Sequence, residues 1–221
     1  MTRAHSKASK PEAPTPKAPT PEAPTPETHQ HFSIILAAGF STRMGVCKTT
    51  LPWDNNQTLL YYQTEQFLQA GIMPVVVLGR HNAHRQADCA VGTDVVVKAA
   101  DDDESKARSI LTGLSRLPKT ASTITISAVD QPRPASVYQA LMRAYQQKKA
   151  PITAPCYDNK LGHPILFSHR LRFQLESIND ESLGLRQVIR AAYADIYRVP
   201  FSTPEVLIDI NDKATYESLV T

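Results

Sequence analysis

The chain has 221 residues, 42% of them hydrophobic and 20% charged, which suffices for one sizeable core and hardly for two, so a single folded domain is expected. Its formal charge of +3 is spread along the sequence, without a Lys/Arg block or interleaved aromatic and basic positions, and this argues against nucleic acid as a partner. Three scattered cysteines, Cys47, Cys89 and Cys156, make neither a disulfide framework nor a Cys-x-x-Cys zinc site, and His81, His84 and His169 lack zinc spacing. No stretch reaches the roughly 18 to 20 apolar residues of a membrane span, and the N-terminus has no apolar secretory segment, so a soluble, cytoplasmic protein is expected.

Residues 1–31 repeat the unit Ala-Pro-Thr-Pro-Lys/Glu from Ala13, Ala18 and Ala23. Such a tract cannot bury a core and reads as a disordered, polyproline-like tail, a solvated spacer rather than a docking peptide. The domain is expected over residues 32–221. Phe32-Ser33-Ile34-Ile35-Leu36-Ala37-Ala38 reads as a short strand buried on both faces and ended by Gly39. Residues 58–70 read as a helix with Leu59, Leu60, Tyr62, Phe67 and Leu68 on its core stripe, stopped by Gly71. A valine-rich strand follows at 73–78, then a strand at 95–97, a helix at 104–116, a strand at 122–129, a helix at 135–147 and a strand at 151–155. Strands alternating with helices predict a three-layer α/β fold, a mostly parallel Rossmann-like sheet with helices on both faces. After Gly162 the pattern loosens into a strand at 164–167, helices near 171–178 and 183–192, strands at 196–199 and 206–208, and a closing helix at 213–219. This half is expected to mix parallel and antiparallel strands. Open parallel sheets bind ligands beyond the carboxyl ends of their strands, which puts the Gly39 loop, Asp130 and Asp209 on one edge.

The segment Leu36-Ala37-Ala38-Gly39-Phe40-Ser41-Thr42-Arg43-Met44-Gly45-Val46-Cys47-Lys48 follows a buried strand and is bracketed by two glycines. Backbone N–H groups in such a loop can cradle phosphate oxygens, with Arg43 and Lys48 neutralising their charge. A tight turn whose two cations face water is the plainer alternative. Spacing excludes the commoner phosphate loops. Gly39 and Gly45 have five residues between them and Lys48 is not adjacent to Gly45, which breaks the P-loop pattern, and a dinucleotide fingerprint would need two further glycines.

Ala128-Val129-Asp130-Gln131-Pro132 sets an acid directly after an apolar strand, a position suited to Mg²⁺, which takes one or two carboxylates plus substrate phosphates. The alternative is an acid capping the helix from Ala135. Asp209 and Asn211 alternate at another strand end and are the further candidates for the metal, with helix capping again the alternative. The run Asp101-Asp102-Asp103-Glu104 reads as a solvated loop, because four consecutive acids point apart and repel. His163 stands between Gly162 and Pro164, where a neutral imidazole could hydrogen-bond a ligand and the glycine would leave it room.

Leu-Ala-Ala-Gly-x-Ser-x-Arg-Met-Gly followed by lysine resembles the opening of the nucleotidyltransferases related to molybdenum cofactor cytidylyltransferase, the MobA-like NTP transferases. Lys48-Thr49-Thr50-Leu51-Pro52-Trp53 is similar to that family's Lys-x-x-Leu-Pro-Trp, Asp130-Gln131-Pro132 to its Asp-x-Pro, and Gly162-His163-Pro164 to its Gly-His-Pro segment. The resemblance runs from about residue 33 to 220. It implies a nucleotide-diphospho-sugar transferase-like fold and a Mg²⁺-dependent transfer of CMP from CTP to molybdopterin, with release of pyrophosphate. In that scheme Arg43, Lys48 and Asp130 are catalytic, and Leu36, Ala37, Ala38, Gly39, Ser41, Thr42, Gly45 and Ser109 join Arg43 and Lys48 around the nucleotide. Gly162 and His163 face the acceptor, and Asp130 with Asp209 or Asn211 holds the metal. The sequence departs from the family before Ser109, where Ser105-Lys106-Ala107-Arg108 has no glycine. Ala38 matches the cytidylyl pattern; a second glycine there is the guanylyl one. GTP as donor, a sugar or isoprenoid phosphate as acceptor, and a non-catalytic cofactor carrier serving a molybdoenzyme are the alternatives.

Overall fold

The computed structural model describes Met1 and residues 30–99, 105–181 and 183–220. The repeats of the tail and the Asp101–Glu104 run lie outside the described residues, as does the side chain of Arg43.

Strands β1 (His31–Leu36), β2 (Met73–Leu78), β3 (Asp94–Val97) and β4 (Thr123–Ala128) lie parallel in the order β3-β2-β1-β4. The second half adds β5 (Ile152–Tyr157), β6 (Lys160–Leu161), β7 (Ile165–Ser168) and β8 (Ile196–Pro200). Here β7 inserts antiparallel between β4 and β5, β6 hairpins back on β5, and β8 returns parallel to β5. The result is a mixed, mostly parallel open sheet, as the loosening pattern after Gly162 predicts.

Helices cover both faces, which is why the strands carry unbroken apolar runs instead of alternation. Period-two geometry sends Ile34 with Val75 and Val77 to one face, and Ile35 with Val76 and Leu78 to the other. The first face is closed by Ile110 and Leu114 of α2 (Lys106–Arg116), with Leu175 of α4 (Arg172–Glu176) and Val188 of α5 (Leu185–Ala191). The second is closed by Leu60 and Phe67 of α1 (Leu59–Gln69) and by Tyr138 and Leu141 of α3 (Ala135–Lys148), with Phe67 and Tyr138 stacked at 3.9 Å. Thr58 starts α1 by accepting the Tyr61 N–H at 3.1 Å. A third apolar cluster, Met44, Leu51, Leu59 and Ile210 flanked by Trp53 and Tyr216, fastens the loop after β1 to the chain entering α6 (Lys213–Val220).

Three elements differ from expectation. The apolar triplet at 206–208 is not a strand: Pro204 opens a 3-10 turn, Pro204–Leu207, and the carbonyls of Val206 and Ile208 are taken by side-chain and loop donors rather than by a ladder. The hairpin to β6 turns on Asp158 and Asn159, both at positive φ, and was not anticipated. The strand β1 begins at His31, one residue inside the stretch assigned to the tail.

Burial pulls the pKa of His31 below its usual value, with the Lys149 charge acting in the same direction, so the folded protein holds this ring neutral beside the Thr123 hydroxyl at 3.0 Å. A histidine with a depressed folded pKa is protonated first in the unfolded chain, so its stabilisation is present above about pH 6.5 and is lost as the pH falls toward the folded pKa. Burial depresses His163 likewise, opposed by the pull of Asp209. The urea midpoint is therefore expected to fall between pH 7.5 and pH 5.5, and to fall less in His31→Gln. An unchanged pH response in that variant would contradict the assignment.

Candidate active site

The chain leaves β1 toward β2 and β3 on one side, then crosses back to place β4 on the other. At that reversal the loops beyond β1 and β4 diverge, and a cleft of about 630 Å³ opens between them. Its walls are residues 36–42 with Lys48 and Thr49, residues 128–131, the start of α2 at Ser105, Lys106 and Ser109, and Asp209 and Asn211.

The glycine loop leaves β1 anchored and then opens. Ala37 N–H donates to the Val77 carbonyl at 2.9 Å, whereas the N–H groups of Ala38, Gly39 and Phe40 have no acceptor among the described residues. A Cβ on Gly39 would meet nothing within 4 Å, so this stretch borders open space in the cleft. Ser41 adopts a left-handed φ of 54° and its hydroxyl accepts the Lys48 N–H at 3.2 Å, closing the loop on itself. Gly45 ends the 3-10 turn Thr42–Met44 at φ 67°, a conformation that favours glycine; it lies outside the cleft lining and shapes the loop. Asn82, buried in the turn after β2, holds the loop from behind: its amide donates to Ala37 O at 2.8 Å and accepts the Gly79 N–H at 2.9 Å. Phe40, half exposed at the cleft, stacks on His81 at 4.2 Å.

Across the cleft the Lys48 ammonium meets the Asp130 carboxylate at 2.6 Å, with side chains 12% and 20% exposed. Asp130 therefore does not cap α3, whose N-cap is Pro134 and whose first turn has no acid. The turn carrying it is pinned from below by Gln63, a buried polar residue on the expected apolar stripe of α1. The Gln63 amide donates to Ala128 O at 2.9 Å and Gln131 O at 3.2 Å. The Asp130 carbonyl accepts the Ile210 N–H at 2.8 Å, which brings the neighbouring Asp209 and Asn211 to the same cleft. Capping of α6 falls to Asp212, which accepts the Thr215 N–H at 2.8 Å. Asp209 Oδ1 is buried and has no hydrogen-bond partner. A buried carboxylate oxygen without a donor is costly unless a cation completes it, and hard oxygens at Asp130, Asp209 and Asn211 suit a divalent ion. Among the described residues no three His, Cys, Asp or Glu side chains gather to hold a metal. The donor set therefore fits an ion whose coordination is completed by phosphate oxygens. Ser109 also lines the cleft, its hydroxyl donating to Ser105 O at 3.0 Å.

Gly162 and His163 stand behind this wall, outside the cleft lining. At Gly162 a Cβ would lie 2.2 Å from the Val206 carbonyl oxygen, so the glycine admits the 206–208 backbone. His163 donates its N–H to the same carbonyl at 2.9 Å. Gly162→Ala is expected to cost about 3 kcal/mol of stability through overpacking against backbone, measured by urea denaturation; a loss within the scatter of surface substitutions would contradict it. The residue the sequence did not disclose is Arg133, 2% exposed, whose guanidinium bonds four backbone carbonyls, those of Pro132, His163, Val206 and Ile208.

A doubly wound sheet with a loop of free N–H groups, a lysine and carboxylates around one cleft defines an α/β enzyme of the nucleotidyltransferase class. Residues 33–196 match the MobA-like NTP transferase domain, and the chain belongs to that family. It is similar in structure to Rv0371c from Mycobacterium tuberculosis H37Rv, at 24% identity and TM-score 0.73, covering 86% of this chain and 97% of that one. A manganese complex of Rv0371c superposes with TM-score 0.67. A nucleotidyl transferase from Methanothermobacter thermautotroptrophicus, Mth528, aligns at 20% identity and TM-score 0.70 over 86% of this chain and 96% of that one. A CMP:2-keto-3-deoxy-manno-octonic acid synthetase complexed with CTP aligns at 13% identity and TM-score 0.65 over 86% and 96%. The search of curated proteins returned no match. No helix among the described residues is long and apolar enough to cross a membrane.

Proposed function

We propose that this nucleotidyltransferase moves CMP from CTP to the terminal phosphate of molybdopterin and releases pyrophosphate. The observation that carries the reading is the Lys48–Asp130 contact across the cleft, with the unpartnered Asp209 oxygen on the same wall. A phosphate oxygen of the acceptor attacks the α-phosphorus in line, the bond from that phosphorus to the bridging oxygen of the β-phosphate breaks, and pyrophosphate leaves. No covalent enzyme intermediate is needed, so the protein's work is positioning and charge stabilisation. The N–H groups of Ala38, Gly39 and Phe40 receive phosphate oxygens, flanked by Ser41 and Thr42. Lys48 leaves Asp130 for the β- and γ-phosphates, and Arg43, earlier in the same loop sequence, is assigned as a second cation for them. Asp130, with Asp209 or Asn211, would hold Mg²⁺, which would supply positive charge against the triphosphate. Ser109 and Ala38, which line the cleft, are assigned to the base side, and His163 with Gly162, behind the wall that carries Asp209, to the acceptor side.

CTP is favoured by the Ala37-Ala38-Gly39 pattern, and a CTP complex is known for a structurally similar synthetase. The divalent ion is favoured by the donor set and by the manganese complex of Rv0371c. Pyrophosphate release with four nucleotides, each crossed against molybdopterin and simple phosphate acceptors, tests the reading. CTP with molybdopterin should dominate. Equal turnover with GTP would overturn the nucleotide assignment, preference for a sugar or isoprenoid phosphate the acceptor assignment, and no release with any pair would leave a cofactor carrier.

A further inference from the structure

The charge of Arg133 is buried beside the site, yet its four hydrogen bonds go to main-chain carbonyls: Pro132 at 2.7 Å, His163 at 3.2 Å, Val206 at 3.0 Å and Ile208 at 2.6 Å. Those carbonyls belong to three segments far apart in sequence, and two of the segments carry residues of the cleft. Pro132 follows Asp130 by two positions and Ile208 precedes Asp209, while the 163 carbonyl belongs to the histidine behind the wall. The two sides of Asp209 are thus fixed separately, Ile208 by Arg133 and Ile210 by its N–H bond to Asp130 O at 2.8 Å.

We infer that Arg133 is a positioning residue that sets the separation of the Asp130 and Asp209 carboxylates and so tunes the cleft for a divalent cation. A planar fork suits this task, because its N–H groups diverge in fixed directions and can reach carbonyls of different segments at once, which a single ammonium cannot. The charge serves a second purpose. Asp209 Oδ1 has no hydrogen-bond donor, so the nearby Arg133 guanidinium attracts the carboxylate without occupying the oxygen that a metal would take. Supporting groups of this kind typically change metal affinity by about 10- to 100-fold when altered.

This inference rests on the proposed metal role of Asp209, and the experiment separates the two. Mn²⁺ binding to the full chain, in the presence of a non-hydrolysable CTP analogue, is followed by electron paramagnetic resonance for Arg133→Lys, Arg133→Gln, Asp209→Asn and the Arg133→Lys/Asp209→Asn double variant. Melting curves accompany each. Arg133→Lys keeps the charge and a donor or two, and carries the test if Arg133→Gln does not fold. The expected result is Mn²⁺ binding weakened about tenfold in Arg133→Lys and more in Arg133→Gln. The double variant should be no weaker than Asp209→Asn alone, since Arg133 acts through that carboxylate. Wild-type affinity in Asp209→Asn overturns the metal role of Asp209. A weakened Asp209→Asn beside an unchanged Arg133→Lys, or losses that add in the double variant, overturns the positioning role of Arg133.

Discussion

Lys48→Ala is expected to lower the rate of pyrophosphate release about 10²- to 10³-fold while leaving the melting temperature nearly unchanged. The side chain is 12% exposed and reaches Asp130 at 2.6 Å, so it stands where negative charge collects when a triphosphate enters. Removing one preorganised donor to developing charge raises a barrier by roughly 3 to 4 kcal/mol, whereas a partly solvated ion pair contributes at most about 1 kcal/mol to folding. Part of the loss should appear in KM for CTP, since the β- and γ-phosphates are charged before the reaction as well as after it. Lys48→Arg should recover only part of the rate, because the planar guanidinium replaces a point charge in a pocket shaped around it. Pyrophosphate release within about threefold of the parent in Lys48→Ala would remove Lys48 from the chemistry.

The strands were legible because burial on both faces leaves a plain signature, the uninterrupted valine and isoleucine runs of β1 and β2. The helices were legible from their stripes, and the sheet edge carrying the cleft followed from the rule that open parallel sheets bind ligands beyond the carboxyl ends of their strands. Gln63 and Thr64 interrupt the stripe of α1 and are nonetheless buried, because tertiary carbonyls and N–H groups meet them there. What the sequence hid are contacts made at long separation. Arg133 after a proline reads as a surface cation, and nothing local announces carbonyls 30 and 73 to 75 residues away. The same blindness explains the 206–208 segment: three apolar residues satisfy a strand pattern, but Pro204 and the demands of Arg133 and His163 on the Val206 carbonyl turn the backbone out of any ladder. The room that Gly162 offers in the sequence is taken up by the Val206 backbone, again a contact across long separation.

Asp130→Asn should separate binding from turnover. Its amide is nearly isosteric and can still accept from Lys48, so the fold has little reason to change. The charge is gone, however, and with it a ligand for a divalent ion. Turnover is therefore expected to fall about 10³-fold, the upper range for losing one preorganised electrostatic contributor. Nucleotide binding without metal should move the other way. In the parent, Lys48 is held by Asp130 and the carboxylate repels the incoming phosphates; in Asp130→Asn both restraints are relieved, because an amide holds an ammonium less tightly and carries no charge. Calorimetric titration of CTP in EDTA should accordingly give equal or tighter binding in the variant, while titration with Mg²⁺ present should give weaker binding than the parent. A loss of metal-free CTP affinity that parallels the loss of turnover would mean that Asp130 shapes the cleft rather than charging it, and the metal assignment would go with it.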